Sequence, residues 1–218
     1  MSAISADAVV ADDHFANDHF ADDHFADDHS AHATSTGVSN EKVAMWVFLG
    51  SECLLFGALI ATYLVYKGRS VNGPYPKKTF DIPFTSVSSF ILLMSSLTMV
   101  LAVSALQRND QRRLRIWLMS TATLGACFIA GQIYEFTAFI REGLTIKTNL
   151  FGSSFYVLTG FHGVHVTLGI LMLLSLVNLS RRGKISQARA EVVEIVGLYW
   201  HFVDVVWIVI FTVVYLIN

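Results

Sequence analysis

The sequence predicts an all-α membrane protein, a bundle of five transmembrane helices behind a disordered N-terminal tail. Three observations predict it. Of 218 residues, 54% are hydrophobic and 15% are charged, against about 45 to 50% and 25% in soluble domains. Five apolar runs follow residue 42, each long enough for a hydrocarbon core of about 30 Å. The formal charge of -2 divides into -8 over residues 1 to 42 and +6 over the rest, so tail and body are different materials.

The tail, residues 1 to 40, carries a five-residue repeat: ADDHF from Ala11 to Phe15, then ANDHF, ADDHF and ADDHS ending at Ser30. Period five matches neither a helix stripe nor strand alternation. Low hydrophobicity with high charge cannot offset ordering entropy, so disorder is expected. His14, His19, His24, His29 and His32 among the aspartates could hold divalent metal weakly. A solvated acidic segment is the favoured reading, since nothing pre-organises such ligands. No apolar core of signal-peptide type occurs in the first 40 residues, which leaves targeting to the first span.

Residues 41 to 218 form the membrane domain. Its first span, about 43 to 66, is entered through Asn40 as N-cap with Glu41 in the first turn. Glu52 lies near its middle. A 19-residue loop, 67 to 85, holds Pro74, Pro76 and Pro83, the last suited to a helix's first turn. The second span, about 86 to 106, is charge-free and rich in Ser, Thr and Met, and it shows no obvious chemistry.

A basic loop with Arg108, Arg112, Arg113 and Arg115 leads to the third span, about 116 to 140. Gly125, Ala126, Ala130 and Gly131 there suit close packing in lipid, and Gln132 and Glu135 follow. The fourth span, about 153 to 179, places His162 and His165 three apart, which predicts one shared helix face with Gly160 and Gly163 beside them. After Arg181, Arg182, Lys184 and Arg189, the fifth span, about 192 to 217, repeats the spacing with His201 and Asp204. Glu194 stands near its start. Cys53 and Cys127 fall inside spans, where thiols act as small hydrophobes, so neither a disulfide nor a Cys metal site is expected.

Five spans put the termini on opposite sides. Nine Lys and Arg fall on the N-terminal side and six on the other. The positive-inside rule therefore predicts a cytoplasmic N-terminus and an outside C-terminus.

A charge at mid-bilayer costs roughly 2.5 to 3.5 kcal/mol, so Glu52, His162, His165, His201 and Asp204 each need a partner, a proton or a protein wall. Two functional readings are open. A proton relay would use Glu52 or Asp204, and a metal site would use His162, His165, His201 and Asp204. The competing reading is hydrogen bonding between helices that fixes their register. It is favoured for the His and Asp residues, whereas Glu52, alone in its helix, is a functional candidate.

Four segments in order resemble subunit III of the heme-copper terminal oxidases: WVFLGSE ending at Glu52, GQIYEF with Gln132 and Glu135, FGSSFYVLTGFHGVHV from Phe151 to Val166, and the stretch from Glu194 through YWHFVDVVW to Trp207. The match covers all five spans. The resemblance implies a subunit with no catalytic residue, no metal and no cofactor of its own, the heme and copper lying in partner subunits. It implies packing against catalytic subunit I, with subunit II and a small subunit IV, phospholipid between helices, and support of proton delivery and lasting activity. Nucleic acid is not among the implied partners.

By position, Glu52 is similar to the family's intramembrane glutamate, with Glu135 and Glu194 as further intramembrane or proton-related acids. His162, His165, His201 and Asp204 match interhelical structural positions. Longer members carry two helices before the glutamate helix, so this chain resembles the five-helix form of bacterial cytoplasmic membranes, found in both cytochrome c and quinol oxidases. The rival expectations are a membrane divalent-metal transporter and a subunit III relative attached to nitric oxide reductase.

Overall fold

A computed structural model describes residues 39 to 67, 82 to 141, 150 to 185 and 190 to 217; the Asp/His repeat, Pro74 and Pro76 lie outside the described residues. The described residues form α1 (Asn40–Lys67), α2 (Ile82–Gln107), α3 (Gln111–Arg141), α4 (Leu150–Arg181) and α5 (Ala190–Phe211), which continues into a π-helical turn, Thr212–Leu216. All five helices are long and apolar enough to cross a membrane. They outrun the charge-free stretches because backbone hydrogen bonding does not stop at the hydrocarbon edge. The 32 residues of α4 extend about 48 Å.

Local signals explain the ends. Ser39 caps α1, its hydroxyl accepting the Lys42 N–H at 3.3 Å. The cap thus falls one residue before Asn40, the position three residues ahead of the donor it serves. Pro83 stands in the first turn of α2, where its missing N–H costs nothing. Asn109 takes a left-handed φ of 57° between α2 and α3, and Asp110 caps α3 by accepting the Arg113 N–H at 3.0 Å. Gly183, φ 67°, ends α4.

Helices α2, α3, α4 and α5 close a ring in which α2 packs on α3, α3 on α4, α4 on α5 and α5 on α2. Trp200, fully buried, joins all four. Its indole lies against Gly125 of α3 and Gly169 of α4, so tightly that a Cβ at either would come within 2.8 Å of ring carbons. Its N–H donates to Ser95 Oγ of α2 at 3.0 Å. Trp207 repeats the arrangement one level along, donating to Ser89 Oγ at 2.8 Å.

The first helix stands outside this ring, against α4 and α5. It buries Leu49, Phe56 and Tyr63, seven residues apart, a narrow seam like that of a coiled coil. Only 11% of its most apolar window is buried, and Trp46, Val47 and Leu54 face outward.

Candidate functional site

Glu52 lies on the buried seam of α1, between Leu49 and Phe56, and therefore points at α4 rather than at lipid. Its Oε2 meets His165 Nε2 at 3.1 Å, both side chains mostly enclosed. The other ring nitrogen, Nδ1, faces the Phe161 carbonyl at 2.8 Å and must carry a hydrogen to bond it. One proton then serves the Glu52 to His165 contact, held by the carboxyl or by Nε2. Either way the pair sums to zero charge, which removes the cost of a lone ion in hydrocarbon. Phe56 stacks edge-on against the imidazole at 5.1 Å, and Tyr199 donates to the His165 carbonyl at 3.0 Å.

The remaining polar residues go elsewhere. His162, fully buried, donates from Nε2 to the Val203 carbonyl at 3.3 Å and lies between Phe128 and Trp207. It faces α3 and α5 while His165 faces α1. Three residues leave the two directions about 60° apart, enough at a helix junction to serve different neighbours. His201 Nδ1 shares a 2.6 Å hydrogen bond with Ser96 of α2. Asp204 is 3% exposed, and neither carboxyl oxygen has a hydrogen-bond partner, the hydroxyl of neighbouring Ser96 being turned to His201.

The four residues of the metal reading therefore do not meet, and no group of three His, Cys, Asp or Glu with metal-holding geometry occurs among the described residues. Glu135 is buried near the far end, accepting from Thr85 at 2.6 Å and from Tyr215 at 3.2 Å. Glu194 lies at the opposite end, paired with Lys42 at 2.8 Å and about one-third exposed. Ser39 bonds Glu191 beside it.

Close approach falls on only part of the small residues singled out above. Gly163 makes room for Gln132, whose amide donates to the Thr159 carbonyl at 2.8 Å. Gly160 meets nothing within 4 Å, because two residues carry it about 160° around the helix from His162. Ala126 and Ala130 face outward.

The hydroxyls of α2 are what the sequence reading missed. Thr85, Ser89, Ser95, Ser96 and Thr98 bond Glu135, Trp207, Trp200, His201 and Thr121 respectively. Their recurrence along α2, in a span with no charge, was the available signal.

Above His165 an apolar groove of about 540 Å³ runs between α1, α4 and α5. Phe48, Met172, Leu179, Val196 and Tyr199 line it. From His165 to Leu179 it follows α4 for about 21 Å, more than the roughly 15 Å of one leaflet's hydrocarbon.

A sequence model described as "Cytochrome c oxidase subunit III" matches residues 8–218. The chain is similar to the cytochrome c oxidase subunit 3 of Bacillus sp. (strain PS3), 40% identical over 187 residues covering 86% of this chain and 90% of the relative. Quinol oxidase subunit 3 of Bacillus subtilis (strain 168) is 42% identical over 177 residues, 81% of this chain and 86% of the relative. Cytochrome c oxidase subunit 3 of Thermostichus vulcanus is 38% identical over 177 residues, 81% and 87% respectively.

Proposed function

Since the chain belongs to the cytochrome c oxidase subunit III family, and is thereby a multi-pass subunit of a heme-copper oxidase, we propose that it works without a catalytic centre of its own. It retains phospholipid against the catalytic subunit and keeps that subunit active over many turnovers. The observation that carries this reading is the Glu52 to His165 pair at the floor of the leaflet-long apolar groove. The pair anchors the groove's outer wall, α1, on the ring without leaving a net charge in hydrocarbon.

Heme iron and copper belong, on this reading, to the partner subunits. The donor set supports it: His162, His165 and His201 each give at least one ring nitrogen to a carbonyl, a carboxyl or a hydroxyl, and no three ligating side chains converge among the described residues. Catalytic subunit I, subunit II and a small subunit IV are the proposed companions. Nine basic residues against six support a cytoplasmic N-terminal side.

Two measurements test the reading. The purified complex is expected to hold heme and copper that separate from this chain when it is dissociated; metal remaining with the chain would overturn the assignment. Glu52→Gln is expected to leave assembly intact but shorten the time over which turnover lasts, with loss of co-purifying phospholipid. A variant complex as durable and as lipid-rich as the parent would remove the role given to the pair.

A further inference from the structure

On the outer face of α3, where α3 meets the end of α4, lies a second recess of about 890 Å³. It is separate from the groove beside His165. Arg112 and Arg115, in the first turns of α3, and Arg181, closing α4, form its rim, and Ile116, Met119 and Leu124 line it below. Three guanidinium groups thus stand over an apolar slot. From Arg115 to Leu124 the slot follows α3 for about 14 Å, close to the roughly 15 Å of one leaflet's hydrocarbon.

The rim charges are not neutralised by the described residues. Among the described residues no carboxylate pairs with Arg112, Arg115 or Arg181; the nearby acid, Asp110, is taken by Arg113 at 3.2 Å. Arg115 donates from Nε to the Gln111 carbonyl at 3.1 Å, which steadies its stem and leaves its terminal nitrogens available. Basic recesses between transmembrane helices suit anionic headgroups, since a phosphate takes guanidinium forks while its chains follow the apolar wall.

We propose that this recess binds one anionic phospholipid, its phosphate on Arg112, Arg115 and Arg181 and an acyl chain along Ile116, Met119 and Leu124. The acidic segment of residues 1 to 38, with eight aspartates and no Lys or Arg, is a rival for the rim. Its large apolar side chains in the repeat are single phenylalanines, Phe15, Phe20 and Phe25, each set among aspartates, whereas one lipid puts its charge on the rim and a continuous chain along the wall below.

The test uses the intact purified complex, with phosphatidylglycerol and phosphatidylcholine of identical chains as probes and native mass spectrometry as readout. The parent complex is expected to retain one phosphatidylglycerol in preference to phosphatidylcholine. Each guanidinium near an anionic lipid surface is worth roughly a fivefold gain. The triple variant R112Q/R115Q/R181Q should therefore lose roughly a hundredfold of that preference, and the triple Lys variant should keep most of it.

Arg182→Gln, exposed but off the recess, should change nothing. Met119→Trp, which fills the slot and spares the rim, should expel the lipid while leaving any binding of inorganic phosphate alone. Equal retention of the two lipids overturns the proposal, as does a preference untouched by the triple Gln variant. A phosphatidylglycerol preference that emerges only after deletion of residues 1 to 38 gives the rim to the acidic segment and also overturns it. Displacement of the lipid by inorganic phosphate, with Met119→Trp without effect, reduces the recess to an anion site and does the same.

Discussion

Gly169→Ala should loosen the four-helix ring by about 2 kcal/mol. The added Cβ would lie 2.8 Å from Trp200 Cε3 and Cζ3, where ordinary contact begins at 3.4 Å, so the ring must yield by about 0.6 Å. It has nowhere to go. Another edge of the indole already sits so close to Gly125 that a Cβ there would be 2.6 Å from Cη2, and the ring N–H is tied to Ser95. Overpacking costs about 1 to 3 kcal/mol, and a ring held at several points belongs at the upper end. Replacing a helical glycine by alanine returns about 1 kcal/mol, which leaves the net figure of about 2.

Gly160→Ala, with nothing within 4 Å, collects only the gain of about 1 kcal/mol. The two variants should then differ by about 3 kcal/mol, roughly a hundredfold in equilibrium. Heat-driven release of this subunit from the purified oxidase reads the difference. Gly169→Ala should be released below the parent temperature and Gly160→Ala at or above it. Equal release temperatures for the two would refute the account of Trp200 as a wedge between glycines.

Further outcomes follow from the polar contacts. Glu52→Leu and His165→Leu each strand one buried group, at about 1 to 3 kcal/mol, and the double variant should cost less than their sum by at least about 1 kcal/mol in a double-mutant cycle of subunit release; additivity would deny the contact. Glu135→Leu removes an acceptor from two buried hydroxyls, Thr85 and Tyr215, and should cost about 2 kcal/mol by the same assay, with Glu135→Gln much milder. Asp204→Leu should be neutral or stabilising, because both carboxyl oxygens are buried without partners; a clear drop in release temperature would reveal a donor from a neighbouring subunit. Lys42→Ala, breaking a pair about one-third exposed on each side, should move the release temperature by no more than about 1 kcal/mol implies.

The fold was largely legible because lipid imposes one rule on every span: a run of some twenty apolar residues must satisfy its own backbone. The partners of polar side chains were harder to read. Spacing on one helix tells which residues share a side, but not which neighbour that side meets. His162 and His165 were read as one face, yet they serve α3 and α5 in one case and α1 in the other. Glu52 was legible as an oddity in its span, while its partner lay 113 positions away. The α2 hydroxyls were passed over because Ser and Thr carry no charge; their part in holding Trp200, Trp207, His201 and Glu135 appears only once helices meet.

The placement of α1 outside the ring separates two jobs that a five-helix chain might have merged. Helices α2 to α5 lock one another through Trp200 and Trp207, and nothing in that lock comes from the glutamate helix. The glutamate helix is instead buttoned on at three depths: by Ser39 and Lys42 to Glu191 and Glu194, by Glu52 to His165, and by Lys67 to the carbonyls of Val213 and Ile217. It is therefore the natural margin of the domain, a helix whose tilt can change the width of the apolar groove it walls without disturbing the keystone tryptophans.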